Sequence, residues 1–495
     1  MASIEEIQEA RLGKLQLLKD KGINPYPIVS HQDFTNLVAV EDFDSISSSG
    51  KSIFMVGRIL SLRAQGKIIF ITFDDGTSKF QALLKSGEPL PEETFDLFEQ
   101  AFDIGDFVEI KGTLFKTKRD EKTILAEDVQ MLSKSLRPLP EKWSGLQDPE
   151  ERFRKRYLDI ISNPELRAVF QRKAKFWNTI REYMLSKNFL EVETPVLENT
   201  TGGAEARPFI THHNALDIDV YLRISAGELW QKKLLVAGFP RTFEIGRIFR
   251  NEGISNEHLQ DYTQLEYYMA YADYEEGMKM TKELYRLIAD KVFGTTKFTI
   301  RGMEVDLAKE WEVYDFCTVI KEKFDINPLN TTEQEVLAVL DKNNIEREKD
   351  TNIERGIDLL WKSLRKTIAG PGFLIGVPVS MEPLAKKNRN NSNTVERFQV
   401  ILAGSEMGKG FSELNDPVDQ KERFMNQQAK RDAGDDEAQM ADMEYVEALE
   451  YAMPPAFGFG LSERLFSFLM DMSVRETQLF PLMRPKNKGN SEIDK

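Results

Sequence analysis

Apolar and polar residues alternate along five short runs between residues 52 and 135: FMVGRILSL, KIIFITFDD, KFQALLK, FVEIKGTLFKT and KTILAEDVQML. A period of two is typical of strands that bury one face. A turn at Asp74-Asp75-Gly76 separates the second and third runs, and a helical segment near residues 92–102 separates the third and fourth. This pattern predicts a small closed barrel of the OB type, a fold that binds single-stranded nucleic acid on an aromatic face. Other small β-barrels would give the same pattern, with phenylalanine in the core.

Two segments instead show the three- and four-residue spacing of amphipathic helices. The first covers residues 4–21 and stops at Gly22, and the second covers residues 164–187. The serine-rich segment SISSSGKS, residues 45–52, is expected to be a linker before the barrel, and RPLPEKW marks a boundary after it. The expected organisation is a helix and linker (1–50), a barrel (51–137), a second linker (138–160) and a large domain (161–495).

Two runs rich in β-branched and aromatic residues, TFEIGRIFR and YTQLEYYMAYADY, predict a long antiparallel hairpin in the large domain. Arg250 and Glu252 lie one residue apart at the end of the first run, so we expect them to share a face. A guanidinium group can bridge a phosphate and a carboxylate, and a nearby acid can accept from an adenine amino group. The hairpin is therefore a candidate ATP site, although a surface ion pair would look the same.

Between these runs and the C-terminus, residues 301–370 are mixed helical and acidic and are expected to form an insertion between catalytic strands. The segment GSEMGKG, residues 404–410, superficially looks like a phosphate-binding loop. Three residues separate its first two glycines and no Ser or Thr follows the lysine, so the spacing excludes that motif.

Composition limits the possible classes of protein. A chain of 495 residues is expected to form two or three domains. No apolar run approaches eighteen residues, and the charged N-terminus is neither a secretory signal nor a transit peptide, so we expect a cytoplasmic protein without a membrane span. Cys317 is the single cysteine, and the four histidines lack metal-ligand spacing, which excludes disulfides and cysteine-based zinc sites.

The net charge of -15 is unfavourable for binding nucleic acid, because affinity for phosphate comes mainly from Lys and Arg. Net charge averages over all faces, however, and basic clusters occur at residues 111–122, 134–137 and 152–156. Charge runs are more commonly solvated surfaces. If RNA binds, these three clusters are where we expect contact.

The sequence FRNE, followed by His258, Tyr262 and Glu266, resembles motif 2 of the class II aminoacyl-tRNA synthetases, and most closely that of lysyl-tRNA synthetases. The resemblance covers nearly the whole chain. GKIIFITFDDGTSKFQ is similar to the anticodon-binding domain of that family, FLEVETPVL with Pro195 to motif 1, and FGFGLSERLFSFLMD to motif 3. It implies an α+β protein, with an OB-fold barrel followed by a catalytic domain built on an antiparallel sheet flanked by helices. Motif 1 further implies a homodimer.

The resemblance also implies roles for individual residues. In the catalytic domain it implies that Arg250 and Arg464 are catalytic, that ATP is bound by Arg250, Glu252, His258, Tyr262, Glu406 and Arg464, and that lysine is bound by Gly203, Glu228, Arg250, Glu266, Tyr268, Phe411 and Glu413. Magnesium would be held by Glu406 and Gln399. In the barrel, Phe70, Gln81 and Glu121 would read the central anticodon base, since an aromatic ring stacks on an unstacked base and polar groups satisfy its edge.

The sequence departs from the family pattern at several of these places. Gln399 stands where the family has a second magnesium-binding glutamate, and Lys409 where it has a pocket asparagine. Fewer anionic ligands should weaken metal binding, and we hypothesise that Lys409 replaces part of the metal charge. The segment before Glu228 is one residue longer than usual, and motif 3 has Ser462 in place of its third glycine.

The resemblance implies activation of L-lysine with ATP and Mg²⁺, followed by transfer of lysine to the 3′ end of tRNA(Lys). Aspartyl- or asparaginyl-tRNA synthetases would share the architecture, but their pockets should offer cations or amides at positions 266 and 413. The changes at Gln399 and Lys409 also leave open an RNA-binding or regulatory relative with impaired catalysis. Protein-lysylating relatives are disfavoured because they lack the barrel.

Overall fold

The computed structural model describes residues 3–140, 146–204, 206–253, 255–348, 351–434 and 438–486. The chain divides into two compact units, one comprising Met1–Arg152 with Tyr157–Ser162 and the other Phe153–Arg156 with Asn163–Lys495. Within the described ranges, no helix has the length and apolar character needed to span a membrane.

The first unit contains the predicted five-stranded barrel. Its strands are β1 (Ile53–Gln65), β2 (Ile68–Asp74), β3 (Lys79–Lys85), β4 (Phe107–Lys116) and β5 (Lys122–Ser133). They close in the order β1-β2-β3-β5-β4, with one parallel contact between β3 and β5. Alternate residues are buried along each strand, as the period of two predicts. The predicted helix between the third and fourth strands is also confirmed as α4 (Glu92–Ala101), which buries Phe95 and Phe98.

Three helices precede or adjoin the barrel: α1 (Ile4–Asp20) and the shorter α2 (Asn36–Glu41) and α3 (Phe43–Ser48). Helix α1 confirms the N-terminal prediction and starts with a capping box between Ser3 and Glu6. The prediction of a serine-rich linker was wrong for its first residues, because α3 extends to Ser48. Phe43 is buried in the barrel core, and Ser47 Oγ donates to the Leu114 carbonyl, so this segment packs against the barrel.

Two residues of the predicted basic clusters are buried and bind acceptors inside the protein. Lys134 is buried, and its Nζ lies 2.6 Å from Asp103 Oδ2 and 2.8 Å from Asp106 Oδ2. Arg156 is buried too and donates to backbone carbonyls in the C-terminal segment, those of Arg475, Glu476 and Gln478. These two cations cannot face RNA as expected, since each is committed to buried acceptors. Lys118 and Arg119 in the first basic cluster are exposed.

The second unit is built on an eight-stranded sheet. Its strands are β6 (Leu190–Glu191), β10 (Arg241–Phe249), β11 (Asp261–Ala270), β14 (Glu312–Asp315), β15 (Gly372–Ile375), β16 (Arg397–Leu402), β17 (Ser405–Ser412) and β18 (Ala456–Ser462), in the order β14-β15-β16-β17-β18-β11-β10-β6. The pairs are antiparallel except at the two edges, where β14 pairs with β15 and β6 with β10 in parallel. The predicted antiparallel sheet is thus confirmed in its centre and mixed at its margins.

Smaller sheets and helices surround this sheet. Strands β7 (Leu197–Glu198), β8 (Ile210–His213) and β9 (Ile218–Leu222) form one small sheet, and β12 (Lys297–Ile300) pairs with β13 (Met303–Asp306). The helices of this unit are α7 (Leu166–Ser186), α8 (Glu228–Val236), α9 (Tyr274–Ile288), α10 (Phe316–Phe324), α11 (Glu333–Lys342), α12 (Ile353–Arg365), α13 (Pro417–Asp432), α14 (Met443–Glu450) and α15 (Arg464–Leu469). Helices α5 (Pro149–Arg154) and α6 (Arg156–Ser162) each contain residues of both units.

Helices α7 and α9 cover one face of the sheet. Their apolar stripes pack against sheet residues in a core that includes Phe176, Ile180, Leu284, Tyr267, Phe398, Phe457 and Phe459. The helical stripe predicted over residues 164–187 is therefore confirmed as α7, because its spacing of three and four residues matches one buried face. The cleft lies on the opposite face of the sheet.

Two segments singled out in the sequence have a more complex structure. The segment around Pro195 that resembles motif 1 forms two short strands, β6 and β7, since proline has no N–H for a ladder and Thr194 N–H donates to the Glu244 carboxylate instead. Residues 301–370 include β14, a strand of the main sheet itself, before the helices α10, α11 and α12.

Candidate active site

A cleft of about 1050 Å³ opens on the sheet of the second unit. Ten residues predicted for the catalytic site line it: Gly203, Glu228, Arg250, Tyr262, Glu266, Tyr268, Gln399, Glu406, Phe411 and Arg464. They come from five separate stretches of the chain and meet because β11, β17 and β18 are adjacent in the sheet. Glu413 adjoins this cleft at the end of β17, as its contacts show below.

Glycines in β18 make room on the floor of the cleft. Gly458 lies opposite Tyr268 on one side and Phe411 on the other, and Gly460 lies opposite Glu266 and Lys409. A methyl group at Gly458 would overlap the Tyr268 ring and Oε1 of Glu413. The segment that resembles motif 3 forms β18 and α15, and its glycines allow neighbouring side chains to meet.

Glu266 is buried at the centre of this floor. Its Oε1 accepts from the Ala226 backbone N–H at 2.9 Å and from Gln264 Nε2 at 2.6 Å, and its Oε2 accepts from the Tyr268 hydroxyl at 3.0 Å. Burial raises the pKa of Glu266 to about 7, with a further rise from the nearby Glu228 carboxylate. Burial and the surrounding carboxylates raise the pKa of Tyr268 well above its ordinary value, so its hydroxyl remains a donor.

Helix α8 contributes a buried lysine that sequence reasoning missed. Lys232 Nζ lies 2.7 Å from Oε1 of Glu228, one helical turn earlier, and 2.6 Å from Oε2 of Glu413. All three side chains are almost completely buried. The spacing of four residues between Glu228 and Lys232 was visible in the sequence, but such pairs are usually on the surface. Nothing in the sequence indicated that Glu413 would join this pair.

Glu413 has an unpaired side. Its Oε1 is buried without a hydrogen-bond partner among the described residues, and it faces the position of Gly458. Burial raises the pKa of Glu413 to about 8, while Lys232 opposes this rise and Glu228 adds to it. A buried carboxylate oxygen without a donor is costly unless a cation or donor completes it. The arrangement suits a bound ammonium group.

The segment just before Glu228 forms a tight turn. Gly227 has φ = 76° and caps α8, where a Cβ would overlap Thr194. The turn presents the Ala226 N–H to Glu266 and starts α8 with Glu228 in the cleft. Gly203 also has positive φ, 86°, and a Cβ there would lie 3.0 Å from Oε2 of Glu228. This turn therefore brings Gly203 and Glu228 together.

Arg250 and Tyr262 form the second half of the cleft. The predicted hairpin is confirmed, but β10 ends at Phe249, so Arg250 and Glu252 lie beyond the strand and the shared-face argument for them was wrong. Arg250 Nε donates to the Ile224 carbonyl at 3.2 Å, and its guanidinium carbon is 5.9 Å from the centre of the Tyr262 ring. Glu252 is exposed in the loop of the hairpin.

The hairpin loop also reaches Arg464. Glu257 lies 2.6 Å from Arg464 Nη2 and 2.5 Å from Arg301 Nη1, a contact that sequence reasoning missed. Although burial opposes the effect, these arginines hold the pKa of Glu257 below its usual range. The adjacent His258 contacts Ser255 Oγ through Nδ1 at 2.8 Å. Loss of solvent and the Arg464 charge lower the pKa of His258, so its ring is neutral near pH 7.

The residues expected to hold magnesium lie on β16 and β17. Glu406 Oε1 accepts from Trp361 Nε1 at 2.7 Å and lies 3.8 Å from Arg365 Nε, while Gln399 Oε1 accepts from Arg397. Across the described ranges, no three side chains of His, Cys, Asp or Glu cluster as a metal site. One carboxylate and one amide fit a magnesium ion that takes its remaining ligands from water and substrate phosphates.

Lys409 is paired with an acid that sequence reasoning missed. It lies directly opposite Gln399 in the sheet, and its Nζ is 3.2 Å from Oε2 of Glu382. Arg397 Nη1 is 2.5 Å from Oε1 of the same carboxylate. Although burial opposes the effect, both cations hold the pKa of Glu382 below its usual range. Glu382 therefore balances part of the charge that the hypothesis assigns to Lys409 as a replacement for metal charge.

The three residues predicted for anticodon binding lie in the first unit. Phe70 on β2 and Gln81 on β3 are partly exposed on the outer surface of adjacent strands, and Gln81 Nε2 donates to Thr123 Oγ1 at 2.8 Å. Glu121 is exposed just before β5, two residues from Thr123. The barrel therefore presents a ring, an amide and a carboxylate at one region of its surface.

Comparisons with known families agree with this geometry. Residues 53–132 match the family described as OB-fold nucleic acid binding domain, and residues 148–484 match tRNA synthetases class II (D, K and N). The fold and cleft are thus those of a class II tRNA synthetase with an OB-fold domain. Three relatives are each named lysine–tRNA ligase: those of Fervidobacterium nodosum (42% identical over 99% of this chain and 96% of the relative), Thermosipho africanus (42%, 99% and 98%) and Thermotoga maritima (41%, 99% and 98%). The chain belongs to the lysine–tRNA ligase family.

Proposed function

We propose that this protein activates L-lysine with ATP to lysyl-adenylate and transfers the lysyl group to the 3′ end of tRNA(Lys). The observation that carries the proposal is the group of buried carboxylates, Glu228, Glu266 and Glu413, beside Arg250. A site for aspartate or asparagine would need cations or amides at positions 266 and 413. Buried acids instead favour a substrate with ammonium groups.

In this proposal the two ends of lysine are bound by different elements. Glu228 and the Gly203 carbonyl receive the α-ammonium group, and Glu413 and the Tyr268 hydroxyl lie at the ε-ammonium end. Glu266 contributes charge between them, and Phe411 packs against the aliphatic chain. The support is the placement of Glu228 and Glu413 on different elements around one cleft, together with the unpaired Oε1 of Glu413.

ATP binds in the proposal beside Arg250. Tyr262 stacks on adenine, Glu252 accepts from the adenine amino group, and His258 and Arg464 contact the outer phosphates. Support comes from the guanidinium of Arg250 near the Tyr262 ring and from the electrostatic influence of Arg464 on His258. Magnesium, held by Glu406 with a weaker contribution from Gln399, neutralises phosphate charge and orients the phosphates when it is bound.

The chemistry is positioning and charge stabilisation. Arg250 holds the lysine carboxylate next to the α-phosphate, so one carboxylate oxygen attacks phosphorus in line and pyrophosphate leaves. Arg464 stabilises the charge that develops on the leaving group. A hydroxyl of the terminal tRNA ribose then attacks the lysyl carbonyl carbon, and AMP leaves. Neither step needs a covalent bond to a side chain.

The barrel supplies recognition of the anticodon in this proposal. Phe70 stacks on the central base, and Gln81 and Glu121 contact its edge. Their proximity on one region of the barrel supports this assignment. Replacing Phe70 by Ala should raise KM for tRNA in aminoacylation and leave lysine-dependent ATP/pyrophosphate exchange unchanged.

The protein works as a cytoplasmic homodimer in this proposal. Apolar side chains around motif 1 support a dimer, since Leu190, Val196 and Leu197 are each more than 40% exposed in the single chain. Size-exclusion chromatography with light scattering should give a mass twice that of the chain. A monomeric mass at micromolar concentration would contradict the dimer, and cell fractionation would test the compartment.

ATP/pyrophosphate exchange with each standard amino acid, at several magnesium concentrations, tests the proposed activity. We expect exchange with lysine alone. Exchange with aspartate or asparagine would overturn the argument from the buried carboxylates. Absence of exchange at every magnesium concentration, from folded protein that still binds tRNA, would favour the RNA-binding or regulatory relative.

A further inference from the structure

Lys232 neutralises only part of the negative charge of the carboxylates in the cleft. Glu228, Glu266 and Glu413 carry three negative charges when ionised, and among the described residues Lys232 is their sole cationic partner at ion-pair distance. Two negative charges therefore remain unbalanced inside a buried site. Free lysine brings two ammonium groups, and its own carboxylate faces Arg250 in the proposed function. A doubly cationic ligand would thus complete the balance.

Lys232 also fixes the direction in which two of these acids point. It contacts Oε1 of Glu228 and Oε2 of Glu413, so the second oxygen of each carboxylate does not contact Lys232 and can face a ligand. Oε2 of Glu228 is the oxygen nearest Gly203, and Oε1 of Glu413 is the oxygen nearest Gly458. Both glycines border the cleft. One buried ammonium group thereby turns two acids from different elements towards the same space.

We propose that Lys232 is a positioning residue that sets both the orientation and the net charge of the substrate pocket, so that the pocket accepts a ligand with two ammonium groups and releases protons when that ligand binds. This inference rests on the proposed function. It assigns to Lys232 an action through Glu228 and Glu413, without contact to the reacting atoms.

Proton release follows from the state of the acids before lysine binds. With pKa values raised by burial to about 7 for Glu266 and about 8 for Glu413, both are partly protonated near neutral pH. Bound ammonium groups favour the ionised carboxylates, so the protons must leave. Affinity for lysine should therefore rise from about pH 6 to about pH 8. The other groups that face these acids are Glu228 and Lys232 on α8, Tyr268 on β11, Tyr445 on α14 and Arg250 after β10.

The test is isothermal titration of the full-length protein with lysine in buffers of different ionisation enthalpy, which counts the protons released. Lys232→Gln removes the charge and should weaken lysine binding by about tenfold or more. A rise of about one in the pKa of Glu413 would change the binding constant by this factor. It should also increase proton release, since Glu413 loses the cation that favours its ionised form. The dissociation constant for ATP should stay within about twofold of the wild-type value, a much smaller change than the one expected for lysine.

Two further variants separate charge from structure. Lys232→Arg keeps the charge and should release as many protons as the wild type. Lys233→Met changes the next residue on α8, whose ammonium group lies 4.6 Å from the Trp230 ring centre, outside the acid cluster, and should leave lysine binding unchanged. Loss of lysine and ATP binding together in Lys232→Gln, or equal proton release in all variants, would overturn the proposal.

The wild-type protein supplies a measurement that does not depend on folding of a variant. Lysine should release more protons than norleucine, which has the same chain length but one ammonium group. Equal proton release with both ligands would overturn the inference about pocket charge. Failure of the wild type to bind lysine, or to catalyse lysine-dependent exchange, would instead contradict the proposed function itself.

Discussion

At the scale of single residues, the site depends on small changes of volume as much as on charge. The three acids of the pocket can approach one another and Tyr268 because β18 carries glycine where its neighbours point inward. Gly458 illustrates this, since a side chain there would occupy the space of the Tyr268 ring and Glu413. The glycine is therefore part of the lysine pocket although it has no functional group.

Gly458→Ala should consequently raise KM for lysine by roughly tenfold or more, because overpacking costs about 1–3 kcal/mol and displaces Glu413. KM for ATP should change little, since Arg250 and Tyr262 lie on another part of the cleft. Steady-state ATP/pyrophosphate exchange measures both constants. Gly460→Ala is the matched control, because a Cβ there meets its nearest atoms at 3.4 Å. Equal effects of the two substitutions would contradict this explanation.

At the scale of elements, the hairpin of β10 and β11 connects the two halves of the cleft. Its strands hold Glu266 and Tyr268 in the floor, while its loop carries Glu257 to Arg464 at the start of α15. In the proposed function Arg464 contacts the outer phosphates of ATP. A phosphate and Glu257 would compete for the same guanidinium group, so the loop contact should oppose ATP binding.

Glu257→Gln should therefore lower KM for ATP by about fivefold, the equivalent of about 1 kcal/mol for loss of a partly exposed ion pair. KM for lysine should not change. Glu276→Gln is the control, since Glu276 forms an exposed pair with Lys279 at 3.3 Å on α9. Exchange assays with varied ATP measure the effect. An increase in KM for ATP would show that Glu257 helps to position Arg464 instead of competing with phosphate.

At the scale of the whole molecule, the chain separates two tasks into two units. The barrel unit has its own core and its own buried ion-pair network around Lys134, Asp103 and Asp106. The catalytic unit contains every residue of the cleft. Damage to the barrel should therefore affect the reaction with tRNA and spare the activation of lysine.

Lys134→Met should destabilise the barrel by about 3–5 kcal/mol, because it leaves the buried Asp106 carboxylate without its cation, whereas Asp103 keeps its pair with Lys14. Lysine-dependent exchange should persist, whereas KM for tRNA in aminoacylation should rise. Calorimetry and the two assays measure these effects. Lys116→Met removes an exposed pair with Asp44 and should leave the free energy of unfolding unchanged, since such pairs contribute little. Parallel loss of exchange and aminoacylation in Lys134→Met would contradict the separation.

The sequence by itself determined the barrel strands, α1, α7 and the hairpin, because the periods of two and of three to four residues report directly which face of an element is buried. It also determined the family, since the motifs around Arg250, Glu413 and Arg464 are specific in combination. Tertiary structure alone decided the partners of buried charges. Lys232 on α8 bridges Glu228 on the same helix to Glu413 just after β17, and Glu257 in the hairpin loop reaches Arg464 at the start of α15. Such pairings depend on the order of strands in the sheet and on how the chain crosses it. Local patterns do not encode either, so nothing in the local sequence distinguishes Lys134 or Lys232 from solvated lysines.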